Sequence, residues 1–155
     1  MWTIWRLVSS MVVLGLLMFP AHSALSASGI AGVWATFDED GTQTGFIRLL
    51  DRNGQVAGVI EAGMPGDDPN DRCTECPGQL KNHPLIGLPI ISASREPGEN
   101  TVRGKILDPN SGQYYNLRMR LLGDGQHLEI RGYLGIELLG RTQIWKRVVQ
   151  NSPPA

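Results

Sequence analysis

The sequence predicts an all-β fold, an eight-stranded antiparallel up-and-down barrel that follows an N-terminal export segment. Three observations predict it. Past the first 28 residues no long stretch keeps a helical period, while short segments alternate apolar and polar residues. Turn signals, among them Asn-Gly, Asp-Gly and Ser-Gly, separate these segments at spacings of about 10 to 15 residues. Gly58, Gly104 and Gly132 fall inside the segments, where a barrel needs tight bends and close backbone approach.

The elements follow in order. GVWATF (32–37) runs into DEDGTQTG, a hairpin connection, and then GFIRLL (45–50). The turn DRNG leads to QVAGVIEA (55–62), after which a long Gly-, Pro- and Asp-rich loop extends to about Pro84. LIGLPIISA (85–93), interrupted by Pro89, is the fourth strand, and REPGEN joins it to TVRGKIL (101–107). DPNSG then leads to QYYNLRMRLL (113–122), GDGQ to HLEIRGY (127–133), and LGIELLG to RTQIWKRVV (141–149). The alternation is clearest in 113–122, where Tyr115, Leu117, Met119 and Leu121 share one face and Asn116, Arg118 and Arg120 the other. One buried and one wetted face per strand is the pattern of antiparallel hairpins. Eight such strands in sequential order close into a barrel without exposed edges, filled by side chains or wide enough for one small ligand. A two-sheet sandwich is the alternative.

Residues 1–27 read as a secretory signal peptide: Arg6 near a free amino group, an apolar core from Leu7 to Phe19, then small residues. That core is shorter than the ~20 residues of a comfortable span, although an uncleaved anchor is the alternative. Residues 28–149 form the barrel domain and 150–155 a polar tail. A periplasmic or secreted location follows, with no stable membrane span after cleavage. Of the 14 basic residues Arg6 leaves with the signal, so 13 remain against 15 acidic ones, a net charge of −2. With no basic run in the chain, a nucleic-acid partner is not expected.

Both cysteines lie in CTECPGQLKNHP (73–84), in the long loop. A redox dithiol would sit where a strand meets a helix, with its thiolate stabilised. Here Asp67, Asp68, Asp71 and Glu75 surround the pair and oppose that. A closed zinc site wants four Cys or His ligands, and this segment supplies Cys73, Cys76 and His83, with His127 far off. In an oxidising compartment a structural Cys73–Cys76 disulfide is the favoured reading.

No enzyme pattern assembles. DEDG (38–41) lacks the later ligands of a calcium loop, and there is no Gly-x-Ser-x-Gly, phosphate-binding loop or His-Glu-x-x-His. A catalytic role, a cofactor and a metal are therefore not expected. Glu61, Arg131 and Gln143 lie on or beside predicted strands. If Glu61 and Arg131 point inward, each needs a partner, and the simplest arrangement is that they pair with each other or grip a polar ligand head; if outward, they are solvated. Trp145 shares a face with Arg141, Gln143 and Arg147. Inward, that face is a mixed polar and aromatic wall suited to a small molecule; outward, Ile144 and Val148 line the core instead. Tyr115 and Met119, on the apolar face of 113–122, complete the set of candidate ligand-binding residues.

Gly32-Val33-Trp34, Cys73-x-x-Cys76-Pro77, Pro84-Leu85-Ile86-Gly87-Leu88, GKILDPNSGQYY (104–115) and LEIRGYLGIELLGRTQIWKR (128–147), in this order, resemble the bacterial secreted Domain of Unknown Function 2147 family. The resemblance covers essentially the whole mature chain and implies a periplasmic or secreted barrel similar to lipocalins, in a family without an established role. Lipocalins themselves carry a Gly-x-Trp at the first strand, whose indole plugs the closed end, and a late arginine packed across it. Gly32 and Trp34 match the first part; Arg141 or Arg147 supplies the second, with Arg147 preferred. The expected function is non-enzymatic binding of a small apolar or amphipathic molecule. Two alternatives are an envelope interaction module with a filled barrel and a thiol or metal protein using Cys73 and Cys76. The oligomeric state is left open.

Overall fold

A computed structural model describes residues 29–149; the expected signal peptide and the polar tail lie outside the described residues. Eight strands follow in order: β1 (Gly32–Phe37), β2 (Gln43–Arg52), β3 (Gln55–Ala62), β4 (Pro89–Arg95), β5 (Thr101–Asp108), β6 (Gln113–Leu121), β7 (His127–Tyr133) and β8 (Arg141–Arg147). Each pairs antiparallel with its sequence neighbours, and β8 pairs with β1, so the sheet is a closed barrel rather than a sandwich. The β1–β8 seam registers Trp34 with Arg147 and Ala35 with Lys146.

The period-2 pattern resolves into an inner and an outer wall. Trp34 sits opposite Ile47, Leu49 opposite Gly58, Gly58 opposite Ile91, Val102 opposite Met119, and Met119 opposite Ile130. Trp34, Leu49, Val102, Leu117, Met119 and Leu128 are all at most 1% exposed, which places the densest packing in one half of the barrel. Glycine lets the walls approach there. A Cβ on Gly58 would meet the Ile91 and Leu49 side chains, and one on Gly104 would run into the Ser92 carbonyl and Ala93. The DRNG turn is tight because Asn53 (φ 55°) and Gly54 (φ 84°) both adopt left-handed backbone, as a two-residue hairpin of the primed type requires. Asp51 Oδ1 accepts the Gly54 N–H at 2.9 Å.

The fourth strand starts at Pro89, later than its apolar run from Leu85 suggests. Gly87 turns at φ 84°, and the run 85–88 stays with the preceding loop, where Ile60 N–H donates to Leu88 O and Gly87 N–H to Ile60 O. Leu88 is apolar because it is buried in that loop, not because it belongs to the sheet. The loop also covers part of the barrel's outside. Leu107 alternates with inward Ile106 and so faces outward, yet it is 1% exposed. Cys73, Cys76 and Leu88 are buried in the same apolar cluster.

Candidate functional site

The two barrel ends differ in construction. At one end the chain enters β1 and leaves β8, and the short turns β2–β3, β4–β5 and β6–β7 lie there. The Arg147 guanidinium stacks over the Trp34 ring, 4.3 Å from its centroid. It donates to Gly125 O (2.7 Å), Ala31 O (2.8 Å) and Gly29 O (2.7 Å), tying the chain entrance to the β6–β7 turn. The Trp34 indole N–H donates to Ile30 O at 2.9 Å. Burial lowers the Arg147 pKa from its ordinary value, but a guanidinium remains charged. This end is sealed.

The other end carries the long connections and opens into a cavity of about 1240 Å³. Its walls are inner-face residues that replace the packed core one layer up: Thr36, Ile47, Ile60, Ile106, Ile130 and Gly132, with Tyr115, Gln143 and Trp145. Trp145 is 3% exposed and its indole N–H donates to Gln143 Oε1 at 3.2 Å, so one polar contact is already made inside the wall. Asp67, Asp68, Asp71, Leu85 and Ile86 of the long loop, and Leu134, Leu139 and Arg141, border the mouth. A cavity of this size exceeds the ~300–1000 Å³ of ordinary small-molecule sites; its inner wall is largely aliphatic and aromatic, while Glu61, Asp67, Asp68, Asp71 and Asp108 make its lining distinctly polar and acidic elsewhere.

The long loop is held by a Cys73–Cys76 disulfide with Cα atoms 5.3 Å apart. Both cysteines are at most 2% exposed. Cys73 N–H donates to His83 O and Asn82 N–H to Cys73 O, while Arg72 pairs with Pro84 as an isolated bridge. The loop is docked on the β5–β6 turn, where a Cβ on Gly112 (φ 68°) would collide with the Glu75 carbonyl. Among the described residues no three His, Cys, Asp or Glu side chains converge as a metal site.

The sequence candidates separate on these walls. Tyr115, Gln143 and Trp145 face inward and line the cavity; outward Ile144 is 39% exposed, which settles the orientation of the last strand. Met119 is also inward, but it is 0% exposed in the sealed half, between Val102 and Ile130, and does not line the cavity. Glu61 and Arg131 do not pair with each other. Glu61 borders the mouth at a bulge of the β2–β3 ladder, and Arg48 takes its carboxylate, with Nε at 2.7 Å from Oε2. That hydrogen bond and charge hold the Glu61 pKa below the ordinary range. Arg131 lies on the outer wall, donating to Glu137 O (2.9 Å), Leu138 O (3.0 Å) and Thr142 Oγ1 (2.6 Å). Arg141 reaches the exposed rim and pairs with Glu39, leaving the floor to Arg147. The lining residues that sequence reasoning missed, Thr36, Ile106, Ile130 and Gly132, were legible as inner-face positions; their height along the strand was not.

A family model described as an uncharacterized protein conserved in bacteria (DUF2147) matches residues 32–147. The chain belongs to this family. Within DUF2147, then, Trp34 and Arg147 of the barrel floor and the stapled loop all lie inside the matched region. The chain is similar in fold to a protein, HP1028, from the human pathogen Helicobacter pylori, described as belonging to the lipocalin family. The TM-score is 0.65 at 20% identity, covering 77% of this chain and 83% of that one. No curated protein matches the sequence. The closed eight-stranded lipocalin-like barrel is thereby shown, and fold alone does not name a function.

Proposed function

We propose that this DUF2147 protein binds a small apolar or amphipathic molecule in its barrel, without catalysis, in an exported compartment. The observation that carries the reading is the cavity of about 1240 Å³ above a packed, sealed floor. A filled barrel acting only through its loops would leave no such space. Aliphatic side chains and Trp145 supply an apolar wall, and Gln143, Tyr115 and Thr36 offer a few polar contacts for orientation. The disulfide supports an oxidising location.

Gly132 gives the test. It lines the cavity, and a Cβ added there would meet nothing within 4 Å. Gly132→Phe therefore fills space without displacing backbone. An uncharged naphthylamine dye titrated into the protein brightens on binding near Trp145 and is competed by fatty-acid-like amphiphiles. Gly132→Phe lowers dye affinity by about tenfold or more at unchanged thermal stability. Wild-type protein that fails to brighten the dye, or a Gly132→Phe variant that binds it equally well, would overturn the cavity reading. Cell fractionation tests the location: protein confined to the cytoplasm contradicts it.

A further inference from the structure

The segment 134–140, LGIELLG, carries the most exposed apolar side chains of the described residues. Leu134, Ile136, Leu138 and Leu139 are 56%, 62%, 83% and 76% exposed, and Leu134 and Leu139 border the cavity mouth. The segment is not loose. A 3-10 turn spans Glu137–Leu139, and Gly140 sits so close to the Gly132 carbonyl that a Cβ would clash. Its one acidic side chain, Glu137, points the other way, onto the outer wall.

There, Arg103, Arg118 and Arg131 stand directly opposite one another on β5, β6 and β7. Like charges in cross-strand register destabilise a sheet unless anions lie between them. Glu137 supplies one: Arg103 donates to Oε2 at 3.0 Å, and Arg118 Nε lies 2.9 Å from Oε1. Glu129 bonds Arg118 and Arg120. With Lys105 on the same wall, five cations face Glu129 and Glu137, with Glu99 also near enough to act on Arg103, so a smaller but net positive excess lies directly behind a protruding aliphatic loop. Protein-binding surfaces concentrate aromatic anchors on a flat, packed patch. A protruding loop of leucine and isoleucine backed by arginines instead has the amphipathic form that enters a bilayer interface, with cations at headgroup level.

We propose that the 134–140 loop and the arginines behind it form a docking surface for an anionic lipid bilayer. The charge excess identifies the partner: phosphate-bearing headgroups complement the net positive charge of this wall, to which Lys105 and the half-exposed Arg120 contribute, while Ile136, Leu138 and Leu139 enter the acyl boundary.

The test is flotation of the exported chain with vesicles of phosphatidylcholine alone and of phosphatidylcholine mixed with phosphatidylglycerol. The mixed vesicles bind about tenfold or more tighter, and added salt weakens the difference. Leu138→Ser with Leu139→Ser, both exposed and outside the core, lowers binding about tenfold, as does Lys105→Gln with Arg120→Gln, each with an unchanged melting curve. Gly132→Phe leaves vesicle binding intact, so failure of docking and failure of the cavity reading are read separately. Equal or absent binding to both vesicles overturns the proposal, as does a serine pair that binds like wild type. Concentration-dependent self-association that the serine pair abolishes, without vesicle binding, also overturns it and assigns the loop to a second copy of this chain.

Discussion

Arg147 does structural work at the floor that no apolar residue can replace. Its three donors satisfy carbonyls of Gly125, Ala31 and Gly29, and its plane covers the Trp34 ring. Arg147→Ala removes charged hydrogen bonds and a cation–π contact together, so a loss of about 2–4 kcal/mol is expected in urea unfolding. Arg147→Lys recovers part of it, since one ammonium cannot reproduce the planar fork. The resemblance to lipocalins carried by Gly32-x-Trp34 pointed to this cluster from the sequence, while the geometry singles out Arg147 over Arg141 as the residue on the indole. Glu61 and Arg131 show the opposite case. Each has a partner, but Arg48 and the carbonyls of 137 and 138 are set by a bulge and a folded-back loop, which no alternation pattern encodes.

At the scale of elements, two connections are anchored by different chemistry. The short Cys73–Cys76 ring restricts the unfolded chain by about 2 kcal/mol in the loop-entropy model. Replacing both cysteines by serine is expected to cost no more than about that much globally. Hydrogen exchange should rise across 71–88 while the strands stay protected, and dye release should quicken if this loop controls the mouth. The 134–140 segment is held by charge. Arg103, with Arg118 and Arg131 nearby, lowers the Glu137 pKa below its usual range. Because the folded value is depressed, the anchoring is complete above the ordinary glutamate range and is lost as pH falls through the depressed value. Methyl resonances of Leu138 and Leu139 should therefore stay constant from neutral to mildly acidic pH and shift only below the ordinary glutamate range. Glu137→Gln should remove that step. The cysteine pairing was legible from spacing together with the expected export; the Glu137 anchor was not, since it joins a loop to β5 and β6, strands distant in the chain.

For the whole molecule, the barrel was legible because every strand obeys one period and neighbouring strands pair in chain order. The departure at 85–88 arose where an apolar run served loop burial instead of the sheet. The cavity was only half legible. Alternation tells which side chains turn inward, as for Tyr115 and Gln143, but both Met119 in the floor and Ile130 above it read alike. Their difference comes from how the strands stagger around the axis. The outer wall carries Arg103, Arg118, Glu129 and Arg131, unlike the apolar band of a membrane-spanning barrel. No helix among the described residues is long and apolar enough to cross a membrane.

The β1–β8 seam has a kinetic consequence. Seven strand pairings join consecutive strands, and most of them close short turns that form quickly from near neighbours. The eighth brings together Trp34 and Arg147 from opposite ends of the domain, so its chain-closure entropy is the largest. The meander can therefore assemble as an open ribbon before its edges meet. Docking of the guanidinium on the indole then belongs to the last step, acting as a latch that slows reopening more than it speeds assembly.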